Sequence, residues 1–152
     1  MNKVFFDLEW NTGFLDGNSF DEIIEIGAVK TDEEYRQIDG FRRLIRPVIY
    51  RKMNPYIQKI LAITMKDLQG EEPLASVAKA FFDWCGDCDT LIAWSGNDFG
   101  VLEKNLAHIG MKIPEQLVRY DVQMAYAYRT ENSIRNYALK TAVEAMELPE
   151  PE

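Results

Sequence analysis

The chain has 152 residues, with 17 Lys or Arg against 25 Asp or Glu, and therefore a formal net charge of −8. Hydrophobic residues make up 47% and charged residues 28%, a globular composition that excludes wholesale disorder. No apolar run approaches the roughly 20 residues that span a bilayer, so we predict no membrane segment. The length predicts one domain, residues 1–152. Two cysteines and the lack of a signal-peptide pattern after Met1 predict a reducing cytoplasm.

Basic residues are concentrated in one part of this acidic chain. Residues 40–66 contain no acidic side chain, so all 25 lie elsewhere. The basic residues of this stretch are Arg42, Arg43, Arg46, Arg51, Lys52, Lys59 and Lys66. Two interpretations stay open at this point. The stretch is either a strip that faces nucleic-acid phosphates or a solvated surface that balances acidic neighbours.

The apolar pattern predicts five strands. They cover residues 3–10, 22–31, 41–47, 91–94 and 118–121. In the second of these, Ile24, Ile26 and Ala28 alternate and therefore share one face. A turn at residues 32–34 separates the second strand from the third. We therefore expect the first three strands to form an antiparallel meander.

Helices are predicted between and after the later strands. A short helical pattern covers residues 55–61, and Thr64 with Asp67 resembles a capping box. Pro73 opens the clearest helix, whose apolar residues share one face: Leu74, Val77, Ala78, Phe81, Phe82 and Cys85. A further helix ends at Gly110, and Ser133 can cap the last one. This order of elements predicts an α/β fold with a mixed sheet covered by helices.

Two carboxylates interrupt the otherwise apolar first strand. Asp7 and Glu9 stand at i and i+2, a spacing that puts both on one face of a strand. Neighbouring anions in apolar surroundings repel each other unless a positive charge lies between them. Mg²⁺ and Mn²⁺ prefer such oxygen ligands, so the pattern favours a metal site. The alternative is an edge strand whose polar face lies in water.

Asp98 is a third candidate carboxylate. It follows the predicted strand at residues 91–94 and stands at the start of the next helix. The carboxyl ends of strands are where sites gather in open α/β sheets. Asp is also a preferred helix N-cap, so a purely structural role is the alternative for this residue.

The sequence resembles the DnaQ-like (DEDD) 3′–5′ exonucleases along nearly its whole length. The resemblance lies in residues 6–11 (FDLEWN), 22–29 (EIIEIGAV) and 94–102 (WSGNDFGVL), with support from 61–64 (LAIT) and 81–84 (FFDW). It implies a ribonuclease-H-like fold, with three antiparallel strands and then two parallel ones. It also implies a two-metal hydrolysis of phosphodiester bonds. Asp7, Glu9 and Asp98 match the first three family carboxylates, so the resemblance makes them catalytic residues and ligands of Mg²⁺ or Mn²⁺.

The third motif of this family is missing after Asp98. It supplies a general base as His-x4-Asp or Tyr-x3-Asp, and neither pattern occurs between Asp98 and Glu152. In relatives with His, the motif follows a helix that resembles residues 136–144. We expect the domain to be truncated at its C-terminus, with natural loss of the motif as the alternative, and hydrolysis to be impaired in either case. Asp121 is a conceivable substitute carboxylate, or a cap for residues 122–125.

Residues that directly follow the first motif line the pocket for the terminal nucleotide in this family. The resemblance therefore makes Trp10, Asn11 and Thr12 candidate substrate-binding residues. An aromatic side chain at position 10 can stack on a base, and core packing is the open alternative. Trp94, inside a buried strand, is interpreted as core.

The lone histidine and the two cysteines are interpreted as structural. His108 lies in the wrong segment for the third motif, and no Asp follows it at the required distance. Cys85 and Cys88 lie at a predicted helix C-terminus, where the helix dipole opposes a thiolate. A zinc site would also need two further ligands.

The sequence therefore predicts a metal-dependent 3′–5′ exonuclease domain that acts on single-stranded DNA or RNA ends. Its catalytic apparatus is expected to be incomplete because the general base is missing. The rival interpretation, from another class of protein, is a non-catalytic module with the same fold that binds nucleic acid or another protein.

Overall fold

A mixed sheet organises the structure, a computed structural model that describes residues 1–131 and 137–149. Its strands are β1 (Lys3–Leu15), β2 (Asn18–Thr31), β3 (Gln37–Leu44), β4 (Thr90–Ala93) and β5 (Val118–Asp121). Their order is β3-β2-β1-β4-β5, with β1 to β3 antiparallel and β4 and β5 parallel to β1. The predicted mixed α/β sheet is confirmed.

Six helices lie within the described residues. They are α1 (Pro55–Leu61), α2 (Met65–Leu68), α3 (Leu74–Cys85), α4 (Gly96–His108), α5 (Val122–Glu131) and α6 (Leu139–Ala145). The predicted capping box is present, because Thr64 and Asp67 bind each other's backbone amides. The predicted cap Ser133 lies outside the described residues. No helix in the described ranges combines the length and apolarity that a membrane span requires.

The boundaries of the first four strands differ from the prediction, and among them β2 begins at Asn18 instead of Glu22 and β4 lies one residue earlier than 91–94. β1 runs on to Leu15 because Asp16 and Gly17 both adopt positive φ and close a two-residue hairpin. β3 was expected at residues 41–47 but lies at Gln37–Leu44. Its register with β2 ends at Leu44, and Pro47 has no N–H to continue a ladder. The first hairpin is therefore longer than predicted, and β3 covers only the part of β2 from Glu25 to Thr31.

A β-bulge lies in β2 at the level of the first motif. Glu9 faces Glu25 and Trp10 faces Ile23, so Ile24 has no partner of its own on β1. Ile23 joins the main core, whereas Ile24 packs with Met53 and Leu68 in a second cluster. Adjacent side chains of a strand point to opposite faces, and the extra residue shifts this alternation by one position for the residues that follow it.

The main core fills the space between one face of the sheet and α3 and α4. Val4, Phe6 and Leu8 of β1 point into it, and Phe81 and Leu102 meet them from the two helices. Because side chains alternate along a strand, the carboxylates at positions 7 and 9 point to the opposite face. Burial of the apolar positions thus fixes which side of the sheet carries the acidic side chains.

A buried asparagine locks α4 onto β2. The Asn105 Nδ2 donates hydrogen bonds to the Asp21 carbonyl at 2.7 Å and to the Val101 carbonyl at 2.8 Å. Its Oδ1 accepts from the Ile23 N–H at 3.1 Å. All polar groups of this side chain are thereby used, as burial to 2% exposure requires. These hydrogen bonds fix the position of α4 relative to β2, and therefore also the position of the first turn of α4.

Candidate active site

Asp7 and Glu9 lie on the face of the central strand that points away from the main core. Asp7 lines a cleft of about 910 Å³ on that face. Glu25 stands directly opposite Glu9 on the neighbouring strand and is only 8% exposed. Pairing of β1 with β2 therefore places a third carboxylate, that of Glu25, beside Asp7 and Glu9. The sequence alone did not predict Glu25 as part of the site. Its only signal was a charged residue inside the apolar run of residues 23–29.

Asp98 lies in the first turn of α4 and is 7% exposed. It is not the N-cap that the structural alternative proposed, because Ser95 holds that position and its side chain accepts the Asn97 N–H at 3.0 Å. Asp98 instead points to the first motif. The Leu8 backbone amide partly offsets a rise in the pKa of both Asp7 and Asp98, and the charge of Asp7 raises the pKa of Asp98, so the two carboxyl groups are neighbours.

Burial and mutual repulsion nevertheless raise the pKa of each of the three predicted carboxyls. Burial is the largest cause for Asp7, and the charge of Glu25 adds to it. Burial also raises the pKa of Glu9, with repulsion from Asp7, Glu25 and Asp98. For Asp98, burial followed by the charge of Asp7 raises the pKa to about 6. These shifts show that the predicted carboxyls form one electrostatic group.

This group has the donor chemistry of a divalent-cation site. Carboxylate oxygens are the ligands that Mg²⁺ and Mn²⁺ prefer, and a cation would relieve the repulsion that raises these pKa values. Within residues 1–131 and 137–149, however, no three Asp, Glu, His or Cys side chains already converge closely enough to hold a metal ion. The residues therefore fit a divalent cation by chemistry and by neighbourhood, without forming a closed cage.

Asp121 takes part in the same neighbourhood from the end of β5. Its Oδ1 accepts the Met124 N–H at 2.9 Å, so Asp121 caps α5, as the structural interpretation of this residue predicts. Its charge also raises the pKa of Asp98. The Oδ2 lies against Gly96, where an added Cβ would approach it to 2.8 Å. A glycine at the start of α4 thus lets Asp121 come close to Asp98.

The three predicted substrate-binding residues lie in different surroundings. Asn11 is 1% exposed, and both polar atoms of its amide are hydrogen-bonded to the protein, Nδ2 donating to the Lys52 carbonyl at 3.0 Å and Oδ1 accepting the Asn54 N–H at 2.8 Å. A direct contact of Asn11 with a nucleotide is therefore not supported. Thr12 donates to Asp21 Oδ1 at 2.9 Å. Trp10 is half-buried against the main core, in accord with the packing alternative.

A buried glutamate fixes the loop beside these residues. Both oxygens of Glu22 are used, since Oε1 accepts the N–H groups of Val48 and Ile49 at 2.6 and 2.7 Å and Oε2 accepts that of Tyr50 at 2.9 Å. The Tyr50 ring packs against Gly13, where a Cβ would clash at 2.6 Å. The loop between β3 and α1 is thereby attached along the second half of β1. Sequence reasoning missed this role because the partners are backbone amides far along the chain.

The basic residues of the stretch 40–66 do not form one strip. Arg42 and Arg43 are neighbours on β3 and therefore point to opposite faces of the sheet. Arg42 binds Glu25 through its Nε, whereas the Arg43 guanidinium lies 5.8 Å from the centre of the Phe41 ring, on the side of α3. Arg46 donates to the Glu71 carbonyl. Of these three, Arg42 alone shares a face with Asp7 and Glu9.

No histidine or tyrosine of the required spacing stands near the carboxylates in the described part of the chain. His108 lies in the last turn of α4, with its ring 5.7 Å from that of Phe20. A Tyr-x3-Asp spacing does occur earlier, at Tyr35 and Asp39, but it bridges the turn between β2 and β3. There the Asp39 carboxylate accepts a hydrogen bond from Trp84 Nε1 at 2.8 Å. Neither residue can serve the site.

The cysteines have the character of structural residues. Cys85 and Cys88 are both buried and unpaired. Burial raises the pKa of the Cys85 thiol to about 12 and raises that of Cys88 as well. Trp94, interpreted as core, is half-buried and donates from Nε1 to the Tyr137 carbonyl at 3.0 Å.

The strand order, with carboxylates on the central strand and in the helix after β4, defines an α/β fold of the ribonuclease-H-like class. The sequence profile of the RNase T type, described as exonuclease, matches residues 4–151. The chain therefore belongs to this exonuclease family and is DnaQ-like, as the resemblance implied.

Individual relatives agree with this assignment. The chain is 34% identical over 109 residues to the PolC-type DNA polymerase III of Clostridium perfringens (strain 13 / Type A), a match that covers 70% of this chain but 7% of the polymerase. Among solved structures, the fold is similar to the nuclease domain of 3′hExo, a DEDDh family member bound to rAMP, with a TM-score of 0.76 at 16% identity, covering 96% of this chain and 80% of that one.

A second solved neighbour was determined with a nucleic acid. It is Exonuclease I of E. coli in complex with an oligonucleotide, with a TM-score of 0.72 at 15% identity. The alignment covers 97% of this chain and 36% of that one. The chain thus spans only part of several of the proteins that it resembles.

Proposed function

We propose that this exonuclease domain removes nucleotides from the 3′ ends of single-stranded DNA or RNA with the help of Mg²⁺ or Mn²⁺. The observation that carries the proposal is the grouping of Asp7, Glu9 and Asp98. Asp98 is distant in sequence from Asp7 and Glu9, yet its charge acts on Glu9 and the charge of Asp7 acts on it, and Asp98 is nearly buried. Such an arrangement costs stability in the absence of a ligand, which is typical of a functional site.

In this proposal Asp7, Glu9 and Asp98 hold the metal, and Glu25 with Arg42 supports them. Two divalent cations bound there would activate the attacking water and stabilise the leaving oxygen. Asn11 is a positioning residue, because it fixes the loop at residues 52–54 instead of contacting a nucleotide. Trp10 and Thr12 stay candidates for contact with the terminal nucleotide.

The proposal includes slow hydrolysis by this chain of 152 residues. A carboxylate site positions metal and water, but a general base usually contributes a further factor of about 10²–10⁴ in rate. Neither family pattern for that base follows Asp98 in the sequence. The expectation that the motif lies in a continuation of the chain stays a prediction, as does a cytoplasmic location.

The metal part of the proposal is tested by titration of Mn²⁺ into the wild type and Asp7→Asn. We expect the variant to bind Mn²⁺ at least tenfold more weakly, because it loses one charged ligand. Asp39→Asn is the matched control, since it removes a carboxylate that binds Trp84 and lies outside the group. Equal Mn²⁺ affinity in the wild type and Asp7→Asn would contradict the proposed metal site.

The activity is tested with single-stranded oligonucleotides labelled at the 5′ end, in Mn²⁺ and in chelator. We compare the chain with a version extended at its C-terminus by the following coding sequence, and we expect stepwise shortening that is faster in the extended version. No cleavage by either protein, with strand binding retained, would favour the non-catalytic module instead.

A further inference from the structure

One cationic side chain lies in register with the first catalytic carboxylate. Asp7 of β1 faces Gly27 of β2, and Gly27 faces Arg42 of β3. The three residues form a row across the sheet, perpendicular to the strands. Since neighbouring strands are about 4.8 Å apart, the backbones of Asp7 and Arg42 are separated by about 10 Å.

The middle position of this row is open. Gly27 has no side chain, and a Cβ built there would meet no atom within 4 Å. Asp7 and Arg42 both line the same cleft of about 910 Å³, whose other walls are largely apolar. The row therefore presents an acidic group, a gap and a basic group to one open space.

Arg42 is held in place but is not saturated. Its Nε binds Glu25 Oε1, and the Arg42 side chain is still 79% exposed. In the described part of the chain, no acceptor binds either of its terminal amino groups. An arginine whose Nε is fixed can offer those two groups to a phosphate in a defined orientation.

We infer that Arg42 holds a phosphate group of the nucleic-acid strand above Gly27, next to the site of hydrolysis. The inference rests on the proposed function. In this arrangement the carboxylates, through bound cations, hold the end of the nucleic-acid strand that is hydrolysed. Arg42 binds a phosphate on the other side of the open position at Gly27. Glu25 is a positioning residue in this scheme, because it fixes the Arg42 guanidinium through Nε.

The chain supplies a matched control in Arg43. This neighbour has the same charge and lies on the same edge strand, but its side chain is on the opposite face, near the Phe41 ring. Removal of either charge changes the net charge of the protein by the same amount. A difference between the two variants therefore reports position rather than overall electrostatics.

The test measures binding of a single-stranded oligonucleotide with a hydrolysis-resistant 3′ end, in Mg²⁺, from about 50 to about 200 mM salt. One phosphate contact contributes about 0.7 to the slope of log K against log salt for single strands. We expect Arg42→Gln to weaken binding severalfold and to reduce the slope by about 0.7. Arg43→Gln should leave both near the wild-type values, and Arg42→Lys should retain most of the slope because the charge remains.

The outcomes separate this inference from the function on which it rests. If the wild type binds and cleaves while Arg42→Gln and Arg43→Gln have the same slope, the Arg42 contact is overturned and the exonuclease proposal stands. A wild type that neither binds nor cleaves overturns both. Thermal unfolding shows whether Arg42→Gln is folded; a large loss of stability with an unchanged slope means that Arg42 has a structural role and overturns the contact.

Discussion

At the scale of one residue, Asp98 shows that the candidate site lowers the stability of the folded protein. It is nearly buried in the first turn of α4 and is repelled by Asp7. The folded protein raises its pKa to about 6, above the value of an unfolded chain. The folded state therefore binds a proton more readily than the unfolded state, and stability falls as the pH rises from about 4 through about 6.

Asp98→Asn should stabilise the metal-free protein at pH 8 and change little at pH 3.5. The variant removes a charge that burial and Asp7 disfavour, and the shift of about two units corresponds to a gain of at most roughly 3 kcal/mol. Thermal unfolding in chelator at the two pH values measures the effect, expected as an increase in Tm of several degrees at pH 8. A lower Tm of Asp98→Asn than of the wild type at pH 8 would contradict the conclusion that burial and Asp7 disfavour the charge of Asp98.

Asp39→Asn is the control with the opposite sign. The Gly40 N–H and the Trp84 indole bind the Asp39 carboxylate and hold its pKa below the usual range. Its charged form is favoured by folding, so removal of that charge is expected to lower Tm slightly at pH 8. If both variants shifted Tm in the same direction, a general charge effect would account for the result.

At the scale of elements, the sequence predicted what depends on local pattern. Helix α3, helix α1 and strand β5 have the boundaries that periodicity and capping residues indicated. The end of β1 was missed because the Asp16-Gly17 turn was not recognised as a hairpin signal. The resemblance identified Asp7, Glu9 and Asp98 as site carboxylates. It did not predict the ion pair of Glu25 with Arg42 or the hydrogen bonds that Glu22 accepts from the loop after β3. Those pairs are made by register and by distant backbone amides, which periodicity does not report.

The loop between β3 and α1 depends on Glu22. Glu22→Ala leaves the amides of Val48, Ile49 and Tyr50 without their acceptor, so we expect a loss of about 3 kcal/mol in the free energy of unfolding. Urea unfolding measures this loss. Limited trypsin digestion should also show faster cleavage after Arg51 and Lys52, because the loop that contains them is released.

Glu34→Ala is the matched control for Glu22→Ala. Glu34 is an exposed glutamate in the turn after β2, with an ion pair to Arg36 at 2.8 Å. Surface ion pairs of this kind contribute between about 0 and 1 kcal/mol. Equal losses in the two variants, or unchanged digestion of Glu22→Ala, would refute the role of Glu22 as the anchor of the loop.

At the scale of the whole molecule, the charge of −8 and a nucleic-acid substrate are compatible only through local arrangement. The carboxylate group repels phosphates as long as no cation is bound, and Arg42 is the basic residue in register with it. The other basic residues of the stretch 40–66 are distributed over several elements. The overall charge is therefore a poor guide to what one face of the sheet can bind.

Strand binding by the whole protein should consequently depend on divalent cations. We expect Mg²⁺ to strengthen binding of a single-stranded oligonucleotide at least tenfold over chelator at matched ionic strength, because bound cations remove the repulsion. Fluorescence anisotropy of a labelled oligonucleotide measures this, with Asp7→Asn as a variant that should lose most of the gain. Binding of equal strength in chelator and in Mg²⁺ would argue against a carboxylate-bound cation between protein and strand.

The bulge at Ile24 divides β2 into two stretches whose inward and outward positions have opposite parity. On the C-terminal side, Ile26 points into the main core, three positions after Ile23, although a regular strand would place residues of the same face an even number apart. Deletion of Ile24 would leave Ile23 opposite Trp10 and Glu25 opposite Glu9 in a regular ladder, so both halves of the strand would keep their faces. The second cluster would instead lose the side chain that packs with Met53 and Leu68, so the extra residue serves that cluster and not the alignment of Glu25 with Glu9.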